Sequence, residues 1–135
     1  MINFYTDGAY SPNRDRGGWA FYSPELKLRV VGNKNQTTVN RMELTAAIKV
    51  LEYISDSNLD DKDITIYSDS MYLVGGMNLG WSKNTNEDLW CQIDFLKSLL
   101  FDKVITFIHI DGHSGNTGNE IVDELAVKLS HIEEI

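Results

Sequence analysis

The sequence predicts an α/β domain with a five-stranded mixed sheet and helices packed on its faces. Three observations lead there. Five short stretches (INFYTD, GGWAFYS, LKLRVVG, ITIYSD and VITFIHI) alternate in polarity or are rich in β-branched residues, the pattern of strands. Longer stretches carry apolar residues every third or fourth position, the pattern of helices. The order βββαβααβα starts with connections short enough for an antiparallel meander and continues with helical crossovers suited to parallel pairing.

The first strand is Ile2–Asp7, with Ile2 and Phe4 on one face and Tyr5 and Asp7 on the other. Gly8–Arg16 is rich in turn formers and is expected to be a loop. Gly17–Ser23 is the second strand, and Leu26–Gly32 the third, half-exposed because Leu26, Leu28 and Val30 alternate with Lys27 and Arg29. A helix entered at Asn40-Arg41-Met42-Glu43-Leu44 runs to about Ser55, with Leu44, Ala47, Ile48, Leu51 and Ile54 inward. Asp56–Asp63 is an acidic loop, Ile64–Asp69 the fourth strand and Met71–Met77 a short helix. Asn78–Asn86 is polar and irregular. Glu87–Phe101 is an amphipathic helix and Val104–Ile110 the fifth strand. Asp111–Asn119 is a loop, and Ile121–Ile132 the last helix, with Ile121, Val122, Leu125, Leu129 and Ile132 inward.

At 135 residues the chain suits a single domain, residues 1–135, with a sizeable core. One cysteine, Cys91, excludes an internal disulfide framework. With no secretory signal, the expected setting is reducing and intracellular, in the cytoplasm. No stretch approaches the ~20 apolar residues of a membrane span. The net charge of −8 argues against nucleic-acid binding, because phosphate backbones favour Lys and Arg.

Four carboxylates stand out. Glu43 lies at the edge of an apolar helix face, where a bare charge is costly and needs a proton, a donor or a metal ion. Its structural alternative is a capping box with Asn40 as N-cap. The first strand ends Tyr5-Thr6-Asp7 and the fourth Tyr67-Ser68-Asp69. If these strands are parallel neighbours about 4.8 Å apart, the two acids meet at the carboxyl end of the sheet and one must protonate or share a cation. Asp7 could instead start a turn, and Asp69 could cap the following helix. Asp123 lies beside the inward Val122, while Glu124 points outward and can pair with Lys128; the alternative for Asp123 is a first-turn helix acid. His113 sits in the glycine-flanked loop Gly112-His113-Ser114-Gly115, where an imidazole could move protons near neutral pH or be a solvated loop residue. His109 and His131 show no ligand spacing with Cys91, which argues against zinc.

Taken together, TDGA at Asp7, NRMEL at Glu43, YSDS at Asp69 and GHSGNTGNEIVDELA from His113 to Asp123 resemble type 1 ribonuclease H over essentially the whole chain. The resemblance implies the ribonuclease H-like fold, with strand order 3-2-1-4-5 and helices on both faces. It implies hydrolysis of the RNA strand of an RNA–DNA hybrid to 5′-phosphate and 3′-hydroxyl ends, with two Mg²⁺ ions (Mn²⁺ as the alternative) held by Asp7, Glu43, Asp69 and Asp123. By the same resemblance His113 assists proton transfer or product release, Asn13 and Asn40 contact 2′-hydroxyls, Thr38 a phosphate and Met71 the sugars. A monomer is expected, with any replication partner protein unidentified.

The chain departs from the family pattern at four places. Val39 replaces an amide side chain, Gln36 an Arg, and Asp111 a Lys; between Trp81 and Glu87 the basic insertion of longer members is missing, leaving Lys83. Arg41, Lys83, Arg14 and Arg16 are the cations expected to meet phosphates, so weak binding with a shallow salt slope, or help from a partner, is expected. The alternatives are a nuclease of the same fold acting on a structured junction, and a catalytically silent nucleic-acid-binding module. A small-molecule phosphatase lacks support, because no Gly-rich phosphate cradle is present.

Overall fold

Strand β1 (Ile2–Ser11) lies at the centre of the sheet. A computed structural model describes residues 1–81 and 83–135. After β1 come β2 (Arg16–Ser23), β3 (Leu28–Asn35), α1 (Val39–Asp56), β4 (Asp63–Ser68), α2 (Met71–Asn78), α3 (Glu87–Leu99), β5 (Val104–His109) and α4 (Thr117–Ser130). Ser82, in the stretch expected to be irregular, lies outside the described residues.

The strand order is β3-β2-β1-β4-β5. The first three strands form the expected antiparallel meander, and β4 pairs parallel to both β1 and β5. Consecutive strand residues point to opposite faces, which separates two cores. Phe21 joins Phe4, Ile64 and Ile66 beneath Leu44, Leu51 and Ile54 of α1, with Leu73 of α2 and Ile93 of α3. Phe4 and Phe21 meet edge to face, with ring centroids 5.8 Å apart. The neighbouring Ala20 faces the other way, onto Val122 and Ala126 of α4.

Element bounds differ from expectation where pairing or capping overrides composition. Gly8 to Ser11 is strand rather than loop, because Gly8 pairs with Trp19 and Ser11 with Arg16. Only the residues between β1 and β2 turn, with Asp15 at φ 47°. Strand β3 begins at Leu28 because Pro24 and Lys27 close the turn, through Lys27 N–H donating to the Pro24 carbonyl at 3.3 Å. Helix α4 starts at Thr117, four positions ahead of expectation: the Asn116 side chain accepts the Asn119 N–H at 2.9 Å and caps it. It ends at Ser130, so Ile132, expected inward, is exposed. Glu124 and Lys128 form no ion pair among the described residues.

Asn33 fastens the end of α4 to the sheet edge. Its Nδ2 lies 3.0 Å from the Leu129 carbonyl, 3.1 Å from that of Ile132 and 3.0 Å from that of Glu133. Gly18 fixes how near the helix comes, since a Cβ there would collide with the Ala126 carbonyl and the Ser130 nitrogen. Neither obstacle is a flexible side-chain end. Gly18→Ala should therefore cost about 1–3 kcal/mol in urea unfolding, the range for overpacking a close interface. A cost below about 0.5 kcal/mol would show that α4 shifts freely.

Candidate functional site

The last parallel pair between β1 and β4 is Thr6 with Ser68, and the next residue on each strand is an aspartate, Asp7 and Asp69. The repeated Tyr-Thr/Ser-Asp endings thus lie level with each other. Helix α1 brings Glu43 over them. Its N-cap is Thr38, whose Oγ1 accepts the Arg41 N–H at 3.1 Å. The expected capping box at Asn40 does not form, since Asn40 lies inside the helix. Gly8 permits the approach: a Cβ there would stand 2.5 Å from the Glu43 nitrogen and 2.6 Å from the Met42 carbonyl carbon.

One carboxylate oxygen from each of Asp7, Glu43 and Asp69 lies within 4.8 Å of the others. Asp7 is 3% exposed and Glu43 7%. Gly8 N–H donates to Asp7 Oδ1 at 2.9 Å. Glu43 Oε1 is buried without a hydrogen-bond partner. Asp123, on α4, is not one of this group of three, but it contributes to the raised titration of Asp7 and Glu43. It lies past the first turn of a helix that starts at Thr117, which removes the first-turn reading. Likewise Ser70, not Asp69, caps α2, its hydroxyl accepting the Leu73 N–H at 3.1 Å.

Burial and like charge act together on these groups. Desolvation, then the charges of Glu43 and Asp69, then hydrogen bonding with Asp123 and Glu43 push the Asp7 carboxyl up to about 10. Desolvation and the charge of Asp69 push Glu43 up to about 8, with hydrogen bonding from Asp7 and the Gly8 backbone offsetting part of the rise. Without a cation this centre keeps protons at neutral pH. The donor set is entirely hard oxygen, with one buried oxygen lacking a partner, and it fits Mg²⁺ or Mn²⁺.

The RNase H family model matches residues 1–131. The chain is 42% identical over 139 aligned positions to the ribonuclease H of Francisella tularensis subsp. novicida (strain U112), covering 92% of this chain and 87% of that protein. The ribonuclease H of Francisella philomiragia subsp. philomiragia matches to the same extent. This chain belongs to the ribonuclease H family.

Two further features of this family member lie around the carboxylates. The loop bearing His113 lies against Asp69, since a Cβ on Gly112 would be 3.0 Å from Asp69 Oδ2. His113 is exposed and has φ 59°, a left-handed backbone uncommon outside glycine. The side chains expected to meet a substrate are all at the surface: Asn13 in the β1–β2 turn, Thr38 and Asn40 at the start of α1, and Met71 at the start of α2.

Arg41, one of the cations expected to meet phosphate, is committed elsewhere. It forms a fork with Asp88, Nη1 to Oδ1 at 3.0 Å and Nη2 to Oδ2 at 2.7 Å, and its Nη1 reaches Asn86 Oδ1 at 3.2 Å. The guanidinium holds Asp88 down at about 2. Asn86 and Trp90 Nε1 in turn donate to the Tyr72 hydroxyl at 3.0 and 3.2 Å. No local pattern announces this hub, because its members come from α1, α2 and α3.

The raised groups set the sign of a pH effect. In metal-free protein Asp7 and Glu43 stay protonated in the folded state up to about pH 8, whereas the unfolded chain releases both protons near pH 4. The folded state then binds more protons between these limits, so stability falls as pH rises through that window. Thermal melts in chelator should show a falling Tm from pH 5 to pH 8. Asp7→Asn should raise the Tm at pH 8 and flatten the slope. An unchanged slope in Asp7→Asn would show that the clustered charges are not its source.

Proposed function

We propose that this chain is a divalent-metal-dependent endonuclease that hydrolyses the RNA strand of RNA–DNA hybrids. Family membership and the buried cluster of Asp7, Glu43 and Asp69 support this reading, and the partnerless Glu43 Oε1 carries its metal requirement. Asp7, Glu43, Asp69 and Asp123 would hold two ions. When bound, such ions supply positive charge to the attacking and leaving oxygens of an in-line phosphoryl displacement.

The chain's own residues do the rest. Burial of Asp7 and Glu43 keeps the centre in a low dielectric, where charge acts more strongly than in water. A water oxygen bonds to phosphorus while the bond from phosphorus to the 3′ oxygen breaks. The products are a 5′-phosphate and a 3′-hydroxyl, and the proton lost by the water is taken up at the site while the 3′ oxygen gains one. His113, in its loop beside Asp69, assists that proton transfer or the departure of product. Asn13 and Asn40 read 2′-hydroxyls, Thr38 meets a phosphate and Met71 packs on the sugars; 2′-hydroxyls are what separate a hybrid from duplex DNA.

Cleavage of a labelled hybrid tests the assignment. Asp7→Asn should lower kcat by several orders of magnitude while the protein still melts cooperatively. His113→Ala should lower kcat by roughly 100-fold with KM little changed, the low end of the ~10²–10⁴-fold scale for one proton-transfer group. Normal cleavage by Asp7→Asn would refute the metal-site assignment, and cleavage of duplex DNA in preference to the hybrid would refute the substrate.

A further inference from the structure

A chain of net charge −8 with Arg41 tied to Asp88 needs another means of holding a polyanion. Between the edge strand β3 and helix α1 lies a concavity of about 400 Å³. Trp19, Lys34, Met42, Thr45 and Lys49 line it, and Ile135 closes one side. Its charged side chains are Lys34 and Lys49. The Trp19 ring covers Gly32, where a Cβ would collide with the indole, and Lys49 Nζ stands 5.8 Å from that ring's centre. Lys34 is exposed. The only other ionic contact of Lys49 among the described residues is with Glu52 at 3.4 Å, both side chains nearly half exposed, and such a pair is easily exchanged.

The position ties this concavity to the carboxylate centre. Trp19 pairs with Gly8, the residue after Asp7, and Met42 precedes Glu43. Thr38, Met42, Thr45 and Lys49 follow one another at helical spacings of four, three and four, so they form one stripe along α1. That stripe is about 16 Å long at 1.5 Å per residue. It matches about five nucleotides of rise along a strand.

We propose that this concavity takes a backbone phosphate of the bound hybrid away from the scissile step, with Lys34 and Lys49 as its cations and the Trp19 face against the adjoining sugar. The inference rests on the hybrid-cleaving function above and extends the contact made at Thr38 along α1. It gives an acidic chain a local cationic track in place of the missing insertion.

Steady-state cleavage of a long RNA–DNA hybrid at several salt concentrations tests it. Lys34→Gln combined with Lys49→Gln should raise KM roughly tenfold with kcat unchanged. The slope of log KM against log salt should shrink by roughly 0.7–0.9, the contribution of one neutralised phosphate. Lys27→Gln combined with Lys128→Gln makes the same charge change away from the concavity and should leave the slope as in the parent. The proposal falls if the first double variant keeps the parent's KM and slope, or if the control pair shifts them equally. A parent that cleaves no hybrid at any salt would instead overturn the function itself, and this extension with it.

Discussion

The structure turns on the crowding of carboxylates at one end of the sheet. Three of them place oxygens within 4.8 Å of one another, two almost wholly out of water. At that spacing each pair of full charges repels by roughly 3–4 kcal/mol at the effective dielectric of a protein site. Left to themselves the groups respond by keeping protons, which is why Asp7 and Glu43 titrate far above the ordinary carboxylate range. A divalent cation removes the same conflict without a proton. The fold holds the conflict in place, so the centre is prepared for a cation before one arrives.

Several parts of the fold serve that placement. Parallel pairing of β1 with β4 brings Asp7 and Asp69 level. Gly8 lets the backbone of α1 come close enough for Glu43 to lean over them, and Gly18 does the same for α4, which carries Asp123. The fork between Arg41 and Asp88 joins the start of α1 to α3, so the helix bearing Glu43 is anchored on its outer side as well as by its core face. The same fork leaves Arg41 paired within the protein, in a chain already acidic. Lys34 and Lys49 line the concavity beside Trp19 on the other flank of α1.

Much of this was legible in the sequence because it rests on local pattern. The echo of Tyr5-Thr6-Asp7 in Tyr67-Ser68-Asp69 foretold neighbouring strands, and the apolar stripe from Leu44 to Ile54 foretold the buried face of α1. What composition hid was decided by partners far away. Gly8 to Ser11 looks like a loop until β2 is there to pair with it, and Thr117 to Asn119 looks like one until Asn116 caps the helix and Gly118 packs on Tyr5. Competing local explanations for Glu43, Asp69 and Asp123 fell for the same reason, since Thr38 and Ser70 take the caps and α4 begins too early for Asp123 to be a first-turn acid. The pairing of Arg41 with Asp88 had no sequence signal, because 47 positions separate the two.

The central claim is that the protonated carboxylate cluster exchanges its protons for a cation. Isothermal calorimetry of Mg²⁺ binding at pH 7, repeated in buffers of differing ionisation enthalpy, measures that exchange directly. With Asp7 raised to about 10 and Glu43 to about 8, binding should release between one and two protons per protein molecule, because a coordinating carboxylate must be ionised. Mg²⁺ binding with no proton release, or no binding at all, would contradict the account.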